Sequence, residues 1–155
     1  MILAPHILLG AAIGSKISNP LAVFALGFAS HYFLDALPHY DYEVPGLKAK
    51  EVNYKKILTD LTKVATDASC GLALALILIW HSPYLTNALI GMFGAVLPDA
   101  LLYLSWHYPK SKFLKIFSWP QNACHYLKNL SPAWLDLSTE IVVCFAAIFF
   151  LFYAI

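Results

Sequence analysis

The sequence predicts an all-α integral membrane protein, with residues 1–155 forming a single membrane-embedded bundle of about five helices. Of its 155 residues, 60% are hydrophobic and only 12% are charged, whereas an ordinary soluble domain carries roughly 25% charged residues. The apolar residues fall into five segments that are separated by polar or proline-marked breaks. We therefore expect most of the chain to lie in a bilayer.

The first two segments are predicted to be helices of unequal length. The segment from Ile2 to Gly14 gives a helix of about 20 Å, which is too short to cross a ~30 Å hydrocarbon core unaided. Asn19 and Pro20 predict the start of the second helix, because asparagine is a favourable N-cap and proline suits the first helical position. We expect this helix to run to Leu37, since Pro38 disfavours helical backbone at the residue before it.

Three further apolar segments follow a charged loop that is predicted over residues 40–63. They predict helices from about Val64 to Trp80, from Tyr84 to Trp106 and from Leu135 to Ile155. Between the last two helices, the 107–133 loop is basic and marked by proline. Here we expect one short amphipathic helix that lies in the membrane interface.

The lysines predict how the bundle is oriented. Nine of the ten lysines lie in the two loops 40–63 and 107–133, and only Lys16 lies elsewhere. The number of spans places both loops on the same side, which the positive-inside rule identifies as the cytoplasm. We therefore expect a bacterial-type inner (plasma) membrane protein with cytoplasmic main loops. The chain has no arginine, so nucleic-acid binding through bidentate guanidinium groups is not expected.

One apolar stretch carries three ionisable residues at intervals of four, namely His31, Asp35 and His39. This spacing stacks potential metal ligands on one helix face. An ionisable group in such surroundings costs several kcal/mol unless it is compensated, and a bound cation is the simplest compensation. Imidazole and carboxylate ligands without paired thiolates favour a divalent metal such as Zn, with Mn or Fe as alternatives.

Other apolar segments also carry polar residues, and these lie toward the ends that are predicted to face the cytoplasm. They are His6, Asp67, Asp99 and Glu140. Polar groups from four or five helices at one depth are typical of a single polar site in a bundle core. Such a site, holding two or three ions, would be able to lower the pKa of a bridging water towards about 7 and stabilise a phosphoester displacement.

Two sets of motifs resemble known families. The run from Ser30 to Asp41 resembles the His-x-x-x-Asp signature, followed by a further His, of the zinc-dependent phospholipases C and the related single-strand nucleases. Those enzymes are helical and use a tri-zinc cluster. Pro5-His6-Ile-Leu-Leu-Gly10 and Leu97-Pro98-Asp99 are similar to the YdjM-like family of inner-membrane proteins, which are described as metal-dependent hydrolases.

The resemblance implies a membrane-embedded, metal-dependent phosphoesterase. The residues that it carries over as metal ligands are His6, His31, Asp35, His39 and Asp99. Asp67 joins the predicted ligands because of its depth and not because of a motif. The soluble enzymes have a second His-x-x-x-Asp or His-x-x-x-Glu pair that is missing here, and His125 and Glu140 are the candidates to replace it.

A site just below the headgroups and beside lysines suits a phosphate group whose hydrocarbon chain stays in the bilayer. We therefore expect hydrolysis of a phosphoester of a lipid or lipid-linked substrate at the cytoplasmic leaflet. Asp35 and Asp99 are the predicted catalytic residues. Membrane lipid is the expected partner, and five short helices are few for enclosing several charges, which makes a homo-oligomer plausible.

Two other classes of function stay open. In a small ion or metal transport protein, Asp67, Asp99 and the histidines would form a proton or metal relay. Such a relay needs polar residues along the whole span, but the outer halves are nearly all Leu, Ile, Ala and Phe. In a scaffold, the buried polar groups would only fix helix packing, and no metal would bind.

Overall fold

The computed structural model describes residues 1–49, 51–124 and 132–153, and this part of the chain folds into seven helices. In chain order they are α1 (Leu3–Gly14), α2 (Pro20–Asp35), α3 (Pro45–Lys48), α4 (Tyr54–Ile79), α5 (Leu85–His107), α6 (Lys112–Cys124) and α7 (Ala133–Phe152). The predicted all-α class is confirmed. The five predicted apolar helices are α1, α2, α4, α5 and α7, and α6 forms where the amphipathic helix is expected.

The helix boundaries follow local capping. Asn19 Oδ1 accepts hydrogen bonds from the backbone amides of Leu21 and Ala22 at 3.0 and 3.1 Å, so α2 begins at the predicted residue. α2 ends at Asp35, two residues before the predicted end at Leu37.

The predicted loop over residues 40–63 is wrong in two places. α3 forms a single short turn of helix at Pro45–Lys48, and α4 begins at Tyr54 and not near Val64. The Asn53 side chain caps this start by accepting from the Lys56 amide at 3.1 Å. Most side chains of residues 54–63 are exposed, so this first part of α4 is a solvated extension of the apolar span. Its polar composition made it look like a loop.

Three helices, α4, α5 and α7, are each long and apolar enough to cross a membrane, and α1 is a shorter apolar helix. Large apolar side chains on the spans face outward, including Phe93, Phe145 and Phe149, which are more than half exposed. An apolar surface of this extent is unfavourable in water. The helices therefore indicate association with a membrane.

α5 lies between α1 and α2, and the three backbones approach one another at glycines. A Cβ atom added to Gly10 of α1 or to Gly27 of α2 would lie 2.5 Å from the Gly91 carbonyl oxygen of α5, closer than real Cβ contacts. Only glycine permits this approach. The packing brings the start of α1 and the end of α2 to the same region of the bundle.

Replacing Gly91 by Val should disrupt this packing. The added side chain has no space between α1 and α2, and overpacking of this kind costs about 1–3 kcal/mol or more. Thermal unfolding in detergent, followed by circular dichroism, should show a clear decrease in Tm. Ala100→Val, at an exposed position of the same helix, is the matched control and should leave Tm nearly unchanged. Equal Tm values for the two variants would contradict the packing described here.

Candidate metal centre

The structure brings together His6 of α1 with His31 and Asp35 of α2. His6 Nε2 lies 3.2 Å from Asp35 Oδ1, and His31 Nε2 lies 3.3 Å from Asp35 Oδ2. All three side chains are at most 1% exposed, and the two imidazole rings stack with their centroids 4.2 Å apart. One ligand atom from each residue falls within 4.8 Å of the others, a spacing suited to one metal ion. We call these three residues the His-His-Asp group.

A backbone contact orients the His31 ring, but the imidazole nitrogens that face Asp35 form no hydrogen bond with any described residue. His31 Nδ1 lies 2.8 Å from the Ala95 carbonyl oxygen, which can only accept, so Nδ1 carries a proton. In the neutral imidazole Nε2 then keeps its lone pair. Within the described residues, neither nitrogen of His6 has a partner in hydrogen-bond geometry. The same holds for Nε2 of His31. Buried nitrogens in this state require another partner, and a cation shared with Asp35 would supply it.

Asp35 has two further partners. The ammonium group of Met1 lies 2.7 Å from Oδ1, and the side-chain amide of Gln121 donates a hydrogen bond to Oδ2. Gln121 lies on α6 and is 1% exposed. Sequence analysis missed Gln121 because its contact joins residues 86 positions apart. The only local signal is its place on α6 on the same face as the buried Leu114.

Asp99 of α5 lies at the edge of the His-His-Asp group. Its Oδ1 is 3.6 Å from His31 Nε2, and its side chain is 33% exposed. Asp99 is therefore the acidic neighbour of the group that is accessible from outside. Its proximity to His31 brings together residues from α1, α2 and α5.

His39 follows α2 and is fully buried, with Nδ1 2.8 Å from the Leu37 carbonyl oxygen. Burial lowers the pKa of His39, and the Met1 ammonium lowers this pKa further. The imidazole is therefore neutral near pH 7, which is the form that binds metals. The structure does not include His39 in the group of three ligand atoms, and its role as a ligand stays a prediction.

The Asp67 side chain of α4 contacts the start of α1. Its Oδ2 accepts from the Leu3 amide at 2.5 Å, and its Oδ1 accepts from the Ala4 amide at 3.3 Å. The Tyr42 hydroxyl donates to Oδ2 at 3.4 Å, and burial together with the Asp67 charge raises the pKa of Tyr42. Asp67 thus does for α1 what an N-cap side chain does, but from another helix. We leave it out of the proposed ligand set.

Glu140 and His125 are the two residues predicted to replace the missing second His-x-x-x-Asp or His-x-x-x-Glu pair. Glu140 of α7 is buried, and its carboxylate lies near the Ile2 amide. It lies beside the start of the chain and does not belong to the His-His-Asp group. His125 lies outside the described residues.

Fold and site together define an all-helical, membrane-associated protein with a buried group of two histidines and one aspartate. Comparison with protein-family models, with curated proteins and with solved structures finds no significant match for this chain. The likeness to the YdjM-like family therefore stays a resemblance of short motifs. The function has to be argued from the geometry of the chain's own residues.

Asp67→Ala should destabilise the protein, because two amides at the start of α1 lose their acceptor. Loss of an N-cap costs about 0.5–2 kcal/mol, and leaving buried donors unsatisfied costs about 1–3 kcal/mol. The decrease is measurable as a lower Tm in detergent. Thr66→Ala, at the exposed neighbouring position, is the control. A Tm for Asp67→Ala equal to that of Thr66→Ala would show that Asp67 does not support α1.

Proposed function

We propose that this protein is a membrane-embedded, metal-dependent hydrolase that cleaves a phosphoester in a lipid or lipid-linked substrate at the cytoplasmic leaflet. The observation that carries the proposal is the buried His-His-Asp group, whose ligand atoms converge within 4.8 Å. Two imidazoles and one carboxylate match catalytic zinc sites, which use three protein ligands and keep a further position open. Zinc is therefore the expected metal, with manganese or iron as alternatives.

The state of the buried nitrogens favours a metal site over a purely structural network. A network that only fixes helix packing is expected to satisfy its buried polar atoms with hydrogen bonds. Here both nitrogens of His6 and Nε2 of His31 lack such bonds within the described residues, although Asp35 is close to both rings. This combination of short distance and unfavourable hydrogen-bond geometry is what ligands around a common ion produce.

The proposed reaction assigns a separate task to each neighbouring residue. When bound, the metal supplies Lewis-acid activation of a water molecule and stabilises charge on the phosphoryl group. Asp99, which is accessible and next to His31, orients the attacking water and accepts its proton. As the bond from phosphorus to the alcohol oxygen breaks, Asp99 returns this proton to the leaving oxygen. Gln121 fixes the orientation of the Asp35 carboxylate, and the Ala95 carbonyl fixes the His31 ring.

The interior of the bundle supports a closed site over a conducting route. From the His-His-Asp group toward the end of α1, the packed interior is the apolar cluster around Leu8, Ala11, Ala88 and Met92. A proton or ion relay across the bilayer would need polar groups in this part of the bundle. Transport stays the second candidate function, and ion flux into proteoliposomes would reveal it.

Metal analysis of the purified protein tests the proposed site. We expect about one zinc ion per chain in the wild type, and we expect His6→Gln and His31→Gln to retain less than about one tenth of that amount, since losing a ligand removes several kcal/mol of binding energy. His81→Gln is the matched control, because His81 is exposed in the turn between α4 and α5. Full metal content in both site variants, or none in the wild type, would contradict the proposal.

Asp99→Asn tests the catalytic assignment. We expect hydrolysis of phosphatidic acid or a polyprenyl phosphate in detergent micelles to fall by about 10²–10⁴-fold, the usual contribution of a positioned acid or base. Zinc content should be largely retained. Glu43→Gln, which changes an exposed carboxylate outside the site, should leave turnover unchanged. Unchanged turnover in Asp99→Asn would remove Asp99 from the mechanism, whereas loss of zinc would make it a ligand.

A further inference from the structure

A groove lies between α4 and α5 on the surface that faces the membrane. Both helices pack on α1 and not closely on each other, so a space of about 370 Å³ stays open between them. Ile7 of α1 lies in this groove, and its lining is almost wholly apolar. The residues that line its two sides are Ala65, Ala68, Ser69 and Leu72 on α4 and Leu89, Met92, Phe93 and Val96 on α5.

The end of the groove at Ile7 and Val96 is the end nearer to the His-His-Asp group along α1 and α5. Ile7 follows His6 directly, and Val96 follows Ala95, whose carbonyl oxygen orients His31. Asp99 lies three residues after Val96, which is less than one helical turn.

From Val96 the groove continues along α5 to Leu89, away from Asp99, over about 10 Å. Because α5 is one of the helices able to cross the membrane, this direction leads from the level of the site into the hydrocarbon.

We propose that this groove holds the hydrocarbon chain of the substrate while its phosphate lies at the His-His-Asp group. The inference rests on the proposed function and names the part of the site that recognises the lipid. A groove of this composition, open to the bilayer along its side, offers contacts to a hydrocarbon chain and almost none to a polar ligand. A substrate would enter laterally, without leaving the membrane.

The groove orients the substrate more than it adds affinity. Lipid chains are as apolar as leucine, so moving a chain from the bilayer into the groove brings little hydrophobic gain. What the groove changes is the position of the phosphate, because a chain that lies along α5 from Leu89 to Val96 brings its headgroup to Asp99. Positioning of this kind accelerates a reaction by holding the reacting atoms together.

Photo-crosslinking of the full-length protein in mixed micelles tests the groove. The probe is phosphatidic acid with a diazirine in one acyl chain, and labelled peptides are mapped by mass spectrometry. We expect labelling on residues 65–72 and 89–96, and Ala65→Phe should reduce it by about tenfold because the ring occupies the chain's place. Ala73→Phe, an equally exposed position on α4 outside the groove lining, is the control and should label like the wild type.

A phosphatidylcholine probe with the same diazirine-bearing acyl chain tests the connection to the site. Its phosphate is a diester capped by choline and therefore does not offer the terminal phosphate group of phosphatidic acid. Labelling of the groove should be about tenfold weaker than with phosphatidic acid. Any of three results would overturn the inference. They are equal labelling by both probes, labelling of α7 as strong as that of the groove residues on α4 and α5, and no effect of Ala65→Phe. Zinc content separates the two proposals. A zinc-loaded protein without groove labelling refutes only the groove, whereas selective groove labelling without zinc refutes only the metal centre.

Discussion

The structure depends on how the buried start of α1 is satisfied. α1 has 12 residues, and its first amides lie inside the protein, where each needs an acceptor. Carboxylates from three other helices surround this end, and they are Asp35, Asp67 and Glu140. Because negative charge is also favourable at a helix N-terminus, these contacts fix how far α1 extends into the bundle. His6, one turn further on, is thereby held at the level where α2 ends.

Asp35 links this structural arrangement to the candidate metal centre. Each of its oxygens has one imidazole and one further donor nearby, with His6 and the Met1 ammonium at Oδ1 and His31 and Gln121 at Oδ2. A buried carboxylate needs such partners to stay charged. A metal that binds here would share Asp35 with groups that already hold it in place, so the ligand is largely preorganised.

α6 shows how the fold encloses one side of this site. Its inner face carries the buried Leu114 and Gln121, whereas Phe113, Ile116 and Trp119 are each more than 60% exposed. The inward face brings an amide to a buried carboxylate, and the outward face has the apolar composition of a helix that lies in a membrane interface. One short helix thus combines a contact to the site with a surface suited to the bilayer.

Much of the fold could be predicted because its signals are local. The apolar segments predicted the five apolar helices, and Asn19 with Pro20 predicted the start of α2, since an N-cap acts on the amides that follow it. The start of α4 was missed because Lys55, Lys56 and Lys63 look like loop residues, although a helix with an exposed polar face accommodates them equally well.

The sequence by itself determined which residues are available for a buried polar site, because ionisable groups in apolar helices are too unfavourable to occur without partners. The sequence placed five such residues at one depth but could not distinguish which of them face a common site. They are His6, His31, Asp35, Asp67 and Asp99. Only the tertiary structure decided that Asp67 supports α1, that Gln121 reaches Asp35 and that a groove opens between α4 and α5. Depth follows from position along a helix, whereas the direction of a side chain depends on how each helix is rotated against its neighbours, and that is set by packing between distant segments.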